Sequence, residues 1–358
     1  MGVVKQRGVR SSGGFCRIRF RGKNFEIDET LDVPYTSSGV ITAARILAKR
    51  VAHARLHGVN PAMPTLAEWG QKWLDSAGLR PSSRQTAKRH LNKIWLPSVG
   101  NPPIDQIDIK QVRQALSTTS HLSSKTRENY LGTLRSCLQM AVDDGVIDIN
   151  PAVGIRLKST AKKSKPDPFT LDERDAIIRE MRDISPSRLG YWAIRFFAGT
   201  RPSETLALEW ADYNRKNRQL TVSKQIQSGV LLPYTKTTAD GQPGRTTYVV
   251  KPLREILATL PRDIRSRHIV STVTGTPFAD SRELVRDFNR VLKRLGFRYR
   301  SPYNARHTCA TDMLERGIDP AIAADELGHS PQMFLTVYAT WLNQDRKKAA
   351  YALWDAEL

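Results

Sequence analysis

The sequence predicts a mainly α-helical protein with short β elements, organised as three modules: a small β/α unit, an all-helical unit and a larger α+β unit. Three observations predict this. The chain has 358 residues, more than a single core of usual size accommodates. Helical periodicity of apolar residues runs through most of it, while strand-like alternation is confined to a few short stretches. Breaks fall at Gly58 and at "KSTAKKSKPDP" over 158–168, which holds four lysines and no large apolar residue and reads as a linker.

Composition narrows the partners. Lys and Arg number 56 against 35 Asp and Glu, a formal charge of +21. An excess of that size fits a polyanion, most simply nucleic acid. The 40% hydrophobic content is enough to build the cores. Nothing resembles a signal peptide, and no apolar run is long enough to span a membrane, so no membrane partner is expected. Cys16, Cys137 and Cys309 are odd in number and widely separated, which fits a reducing cytoplasm rather than a disulfide framework. No Cys or His pair has zinc-site spacing, so no metal is expected.

Residues 1–58 read as the β/α unit. "GFCRIRFRGKNFEI" alternates apolar and basic residues around a Gly-Lys-Asn turn, a hairpin pattern. Phe15, Ile18 and Phe20 are its expected apolar positions, and Arg17, Arg19 and Arg21 fall on the other face. Such a row protects an exposed edge or suits a ribbon laid in a DNA groove. "VITAARILAKRVAHARLHG" is an amphipathic helix closed by Gly58. The unit carries eleven Lys and Arg against four acids.

Residues 65–157 read as all helical. Thr65 and Glu68 form a capping box ahead of "LAEWGQKWLDSAG". The helix "SSRQTAKRHLNKIWL" follows Pro81 and is expected to end before Pro97. It sets Arg84, Lys88, Arg89 and Lys93 on one side, either a solvated face or a phosphate-tracking stripe. A third helix, "KTRENYLGTLRSCLQMAVDDG", repeats Leu131, Leu134, Leu138 and Val142 before "INPA" ends the unit. In the linker, Lys162 and Lys163 are placed to run along a phosphate backbone.

Residues 169–358 form the largest unit. Thr170 and Glu173 open it with another capping box, and the apolar helix "YWAIRFFAGT" follows. "QLTVSKQIQ" and "RTTYVVKPL" have strand composition, and from Ser281 onward the pattern is helical. Arg201 lies at a Gly-Thr turn in "FFAGTRPSETLALEW". Lys236 lies on the loop between the strand candidates, in "PYTKTTADG". Arg306 opens a helix in "SPYNARHTCATDML", and His329 and Tyr338 lie in "ELGHS" and "FLTVYATW". Alone, each has an ordinary reading: a cap, a surface charge, a core aromatic.

In this order, "GTRPSE", "YTKTTADGQPGRTTYVV", "ARHT", "LGHS" and "TVYATW" resemble the conserved boxes of the tyrosine recombinase, or phage integrase, family. The resemblance covers nearly the whole chain. It implies a catalytic domain over 169–358, a helical core-binding domain over 65–157 and an arm-type DNA-binding domain over 1–58. It also implies a phage or mobile-element integrase that cleaves and rejoins DNA through a covalent phosphotyrosyl intermediate. Tyr338 matches the nucleophile, Arg201 and Arg306 the phosphate clamp, Lys236 the general acid and His329 the second-box histidine. Glu204 and His307 are supporting residues. The family needs neither metal nor cofactor for this chemistry. Its expected partners are double-stranded DNA at core and arm-type sites, three further copies in a homotetramer, and accessory bending and excision proteins. The segment "DRKKAAYALWDAEL" would dock on a neighbouring subunit.

One position departs from the family. The usual histidine three residues before the second arginine is replaced by Tyr303, for which a positioning role is expected. His307 has the wrong spacing to substitute, since Ala310 lies three residues beyond it. Rival readings are a type IB topoisomerase-like enzyme, a DNA-binding regulator without catalysis, and a metal-dependent nuclease. The intact basic set and the lack of a marked carboxylate cluster count against the last two.

Overall fold

The alternating amino-terminal stretch folds as a three-stranded antiparallel sheet of β1 (Val9–Ser12), β2 (Phe15–Arg21) and β3 (Glu26–Pro34), in that order. This computed structural model describes residues 5–21, 26–57, 63–157, 166–184, 186–238, 241–262 and 266–341. The hairpin turn, Gly58, Lys162, Lys163, most of the linker and "DRKKAAYALWDAEL" lie outside them. The chain divides into two units, Met1–Lys163 and Ser164–Leu358.

In the first unit, helix α1 (Ser37–His57) covers the sheet, with Val40, Ala43 and Leu47 set against Cys16, Ile18, Ile27 and Leu31. Strand β1 was not foreseen, because four residues carry too little alternation to read. Phe15 is not an apolar anchor. Side chains alternate along a strand, so Phe15 shares the parity of Arg17 and is 41% exposed, while Cys16 takes the buried place. The register shifts between Phe15 and Arg17.

A second hydrophobic cluster of this unit is helical. Thr65 and Glu68 form the expected capping box on α2 (Leu66–Ser76). Helix α3 (Pro81–His90) does not stop before Pro97. Leu91–Trp95 make a π-helical turn, with Leu96 N–H donating to Leu91 O, and the chain continues as α4 (Leu96–Val99). The wider turn accommodates a residue that lacks an N–H. Helices α5 (Ile109–Ser117) and α6 (Ser124–Asp143) complete the unit. Trp69 and Trp95 bury their rings and donate their indole N–H groups to Cys137 O at 2.9 Å and Tyr130 O at 3.0 Å. Arg50 joins the two clusters of the unit, pairing with Glu29 and with Asp105, the latter at 3.1 Å.

The second unit begins with α7 (Leu171–Ile184), capped reciprocally by Thr170 and Glu173. Helix α8 (Leu189–Phe197) is buried along nearly its whole length and anchors the main core, and α9 (Pro202–Ala207) follows. The strand candidates divide differently from expectation. Strands β4 (Tyr213–Asn214), β5 (Gln219–Val222) and β8 (Arg245–Tyr248) form one sheet in the order β4-β5-β8. Strands β6 (Gln225–Gln227) and β7 (Val230–Leu232) form a separate hairpin. It turns at Ser228 and Gly229, both at positive φ, the conformation a tight two-residue hairpin requires. "KPL" is not strand: Lys251 and Pro252 open α10 (Lys251–Thr259), proline suiting the first turn of a helix. Helices α11 (Arg282–Arg294), α12 (Asn304–Glu315), α13 (Pro320–Leu327) and α14 (Pro331–Tyr338) complete the unit. No helix among the described residues is long and apolar enough to cross a membrane.

Candidate active site

The turn after α8 places the first candidate. Gly199 adopts φ +59°, and a Cβ there would collide with Leu327 and press on Cys309 Sγ at 3.1 Å, so the position requires glycine. Arg201 then sits at the amino-terminal cap of α9, with Pro202 at the first helical position. Glu204, three residues on, accepts the Arg201 backbone N–H at 2.8 Å and an Arg201 guanidinium N–H at 2.8 Å.

The stretch "LGHSP" shapes the opposite wall. Gly328 caps α13 in the left-handed region at φ 63°, and the His329 N–H returns to Ala324 O at 2.8 Å, a Schellman closure. Ser330 caps α14 through its hydroxyl, and Pro331 is the first helical residue. The turn therefore displays His329 between two helix ends. Arg201 crosses to it, donating to Gly328 O at 2.9 Å.

Arg306, on the first turn of α12, is fully buried. It donates to Gly199 O at 2.6 Å, to Leu327 O, and to His329 Nε2 at 2.6 Å. A guanidinium only donates, so His329 Nε2 accepts and its proton sits on Nδ1. That Nδ1 is buried without a partner among the described residues, as is Arg306 Nε. Burial, with the charges of Arg306 and Arg201, holds the His329 imidazole down at about 3. Burial and the neighbouring Arg201 charge lower Arg306 itself to about 10. Burial is the larger cause of both shifts, and the neighbouring guanidinium charges add to it.

The sequence reading missed Arg245. Strand β8 brings it to Glu204, where its guanidinium donates to both carboxylate oxygens, at 3.1 and 2.6 Å. Glu204 is fully enclosed. Burial opposes its ionisation, but the Arg245 hydrogen bonds and the charges of Arg245 and Arg201 hold it at about 2. Arg245 lies 41 residues from Glu204, and only the pairing of β5 with β8 carries it there. The one available signal was an arginine opening a strand candidate beside the quoted Lys236 loop.

Tyr338 ends α14 and is 1% exposed. With Phe334, one turn earlier, it packs into a cluster with Cys309, Leu314 and Leu327. Burial raises its phenol above the ordinary value. Its hydroxyl meets His307 Nδ1 at 2.6 Å, so His307 reaches the tyrosine although it lacks the family histidine's spacing. That residue follows Arg306 by one position and so points about 100° away around α12, toward α14. Tyr303 packs the edge of its ring on His307, centroids 5.2 Å apart, and is 39% exposed. Lys236 is exposed on the loop after β7. Its neighbour Thr237 approaches the Gly328 turn, where a Cβ on Gly328 would meet Thr237 Oγ1 at 3.2 Å.

Arg17, Arg19 and Arg21 on β2 are exposed, but they do not form a bare row. Arg17 pairs with Asp28 at 2.7 Å, Arg19 with Glu26 at 3.2 Å and Arg21 with Glu26 at 3.8 Å. The register of β2 on β3 sets Asp28 opposite Arg19 and Glu26 opposite Arg21, with Asp28 diagonal to Arg17. Arg84 pairs with Asp75, and Lys88, Arg89 and Lys93 are exposed on the same helical stretch. Among the described residues no group of three His, Cys, Asp or Glu side chains is arranged to hold a metal ion.

Residues 169–344 fit the sequence model of the phage integrase family, so this stretch of the chain is a domain of that family. Prophage integrase IntR of Escherichia coli is 26% identical over 261 residues, spanning 65% of this chain and 61% of that protein. The chain thus spans under two thirds of that relative's length. The Tn1549 transposon integrase, solved in complex with transposon right end DNA, superposes with a TM-score of 0.66 at 18% identity, over 81% of this chain and 99% of that one. A lambda integrase tetramer bound to a Holliday junction gives 0.57 at 17% identity, over 91% and 96%. At those identities the likeness shows a shared fold.

Proposed function

We propose that this protein is a site-specific DNA recombinase that cleaves and rejoins DNA through a 3′-phosphotyrosyl link, integrating and excising a phage or other mobile element. The observation that carries this reading is the charge balance of the site. Three guanidinium groups, from Arg201, Arg245 and Arg306, meet one carboxylate, Glu204. The site therefore holds unmatched positive charge, and Tyr338 is close enough for Arg306 to act on its ionisation.

A phosphodiester is the anion that suits these groups. Guanidinium N–H groups pair with non-bridging phosphate oxygens, and the Nδ1–H of His329 is a buried donor lacking an acceptor among the described residues. Tyr338 Oη attacks phosphorus, the P–O5′ bond breaks, and Lys236 gives the departing O5′ its proton. Arg201 and Arg306 stabilise the charge that builds on the phosphoryl oxygens. Glu204 is a positioning residue that aims Arg201 and Arg245. The exchange of one ester for another conserves the bond energy until a second strand's hydroxyl reverses it.

In this reading residues 1–58 bind arm-type DNA, 65–157 and 169–358 clasp a core site, and 158–168 link them along the backbone. Four copies assemble on two core sites with accessory bending and excision proteins, in the cytoplasm where that DNA resides. The ion pairs on Arg17, Arg19 and Arg21 are solvent-exposed and weak, so phosphates can displace their acids.

The test is incubation with nicked suicide duplexes built on a footprinted core sequence, in the presence of EDTA. The unaltered protein should form a covalent adduct that survives denaturation, and Tyr338→Phe should form none. An adduct that requires magnesium, or that persists in Tyr338→Phe, would overturn the reading.

A further inference from the structure

A buried phenol held above its ordinary pKa cannot attack until something takes its proton. The sequence leaves that acceptor unassigned, because Tyr303 occupies the position of the family's usual histidine and a phenol is a poor base at neutral pH. The structure supplies a different group. Tyr303 and His307 are four residues apart on one helical stretch, so they stand on the same face one turn apart. His307 thus lies one turn along α12 from the position where a histidine is missing.

Three contacts define its geometry. Nδ1 lies 2.6 Å from the Tyr338 hydroxyl. The Tyr303 ring meets the imidazole edge-on, at 71° and 5.2 Å, and so fixes its tilt. The His307 and Tyr338 ring centroids are 5.6 Å apart. Apart from Tyr303 and Tyr338, the titratable groups that bear on this ring are Arg306, beside it in sequence, and His329 across the turn.

Resting on the strand-exchange reading above, we propose that His307 Nδ1 receives the Tyr338 hydroxyl proton as Oη bonds to phosphorus. The step balances. The Oη–P bond forms while the Oη–H proton passes to Nδ1, leaving an imidazolium. The P–O5′ bond breaks while Lys236 protonates the leaving oxygen. On rejoining, the imidazolium returns its proton to Oη. In the absence of DNA, burial and the Arg306 charge hold His307 at about 4, so the ring is neutral and its lone pair is open. A phosphate seated on Arg306 offsets that charge and raises the ring's affinity for a proton. Proton transfer is thereby favoured when the substrate is in place.

The experiment is single-turnover adduct formation on the footprinted core duplex, with either an ordinary scissile phosphate or a 5′-bridging phosphorothiolate, whose thiolate leaves without a proton. His307→Asn sets an amide oxygen near Nδ1, which accepts a hydrogen bond but holds no proton. With DNA binding and melting unchanged, it should slow adduct formation by roughly 10²- to 10⁴-fold on both substrates. Lys236→Ala should be slow on the phosphate and largely restored on the phosphorothiolate. A His307→Asn rate within about threefold of the unaltered protein, or a defect that vanishes on the phosphorothiolate, overturns the His307 step alone. If His307→Asn does not fold, His307→Gly with added imidazole replaces it. Rescue that tracks the free-base fraction supports the step, and its absence in the folded variant overturns it. An adduct formed by Tyr338→Phe would instead sink the parent reading and this step with it.

Discussion

Replacing Glu204 with glutamine tests whether the site is held together by one charge. The carboxylate is enclosed and receives hydrogen bonds from both Arg201 and Arg245. Its value falls from an ordinary 4.5 to about 2, which corresponds to about 3 kcal/mol of stability at roughly 1.4 kcal/mol per pKa unit. Breaking a buried ion pair from one side costs about 3–5 kcal/mol, so two independent routes give similar figures. Glutamine keeps the volume but turns two N–H donors toward guanidinium donors, so the loss should lie near 3 kcal/mol. The sign with pH follows from the lowered value. The contribution is complete above about pH 4.5, declines as pH falls toward 2, and is absent in Glu204→Gln. The assay is hydrogen exchange of α8 and α12 peptides in a denaturant series, which reports on the second unit directly. A loss below about 1 kcal/mol, the ceiling for an exposed pair, would refute the reasoning.

Further predictions follow from the same geometry. His307 and His329 have values depressed to about 4 and 3, so in the DNA-free protein neither ring should titrate between pH 5 and 8 by NMR, and a midpoint near 6.5 for either would contradict the burial assigned to it. Because both are depressed, each contributes stability above about 6.5 that is lost as pH falls toward its folded value. Gly199→Ala forces a Cβ against Leu327 and Cys309 at positive φ and should cost about 2 kcal/mol or more; a melting temperature unchanged from the unaltered protein would show that the turn is looser than described. Tyr303→Phe keeps the ring on His307 and removes only the hydroxyl. A positioning hydroxyl predicts cleavage about tenfold slower, roughly 1.4 kcal/mol in the barrier, whereas an unchanged rate would leave Tyr303 a packing residue.

What could be read from the sequence was local. The capping boxes at Thr65 and Thr170 are decided within a few residues, and they formed as expected. The boxes of the family placed Arg201, Arg306, His329 and Tyr338 in order, and the fold gathers them from the cap of α9, the first turn of α12, the turn between α13 and α14, and the end of α14. What could not be read depended on geometry that spacing does not record. Leu335 belongs to the apolar run before Tyr338 yet is 41% exposed, whereas Phe334 and Val337 pack into the tyrosine's cluster. Arg245 reaches Glu204 only through a strand pairing. His307 was expected only as a supporting residue, because its linear spacing does not match the family histidine; spacing is a test of position along the chain, whereas proton transfer depends on direction around a helix. One residue beyond Arg306 is a turn of about 100°, enough to aim one side chain at the Gly199 and Leu327 carbonyls and the next at the Tyr338 hydroxyl. Adjacent positions on α12 can therefore serve opposite ends of one reaction, the phosphate and its nucleophile. In this chain a one-turn displacement of the histidine is compatible with the same chemistry because Tyr303 remains to support the ring.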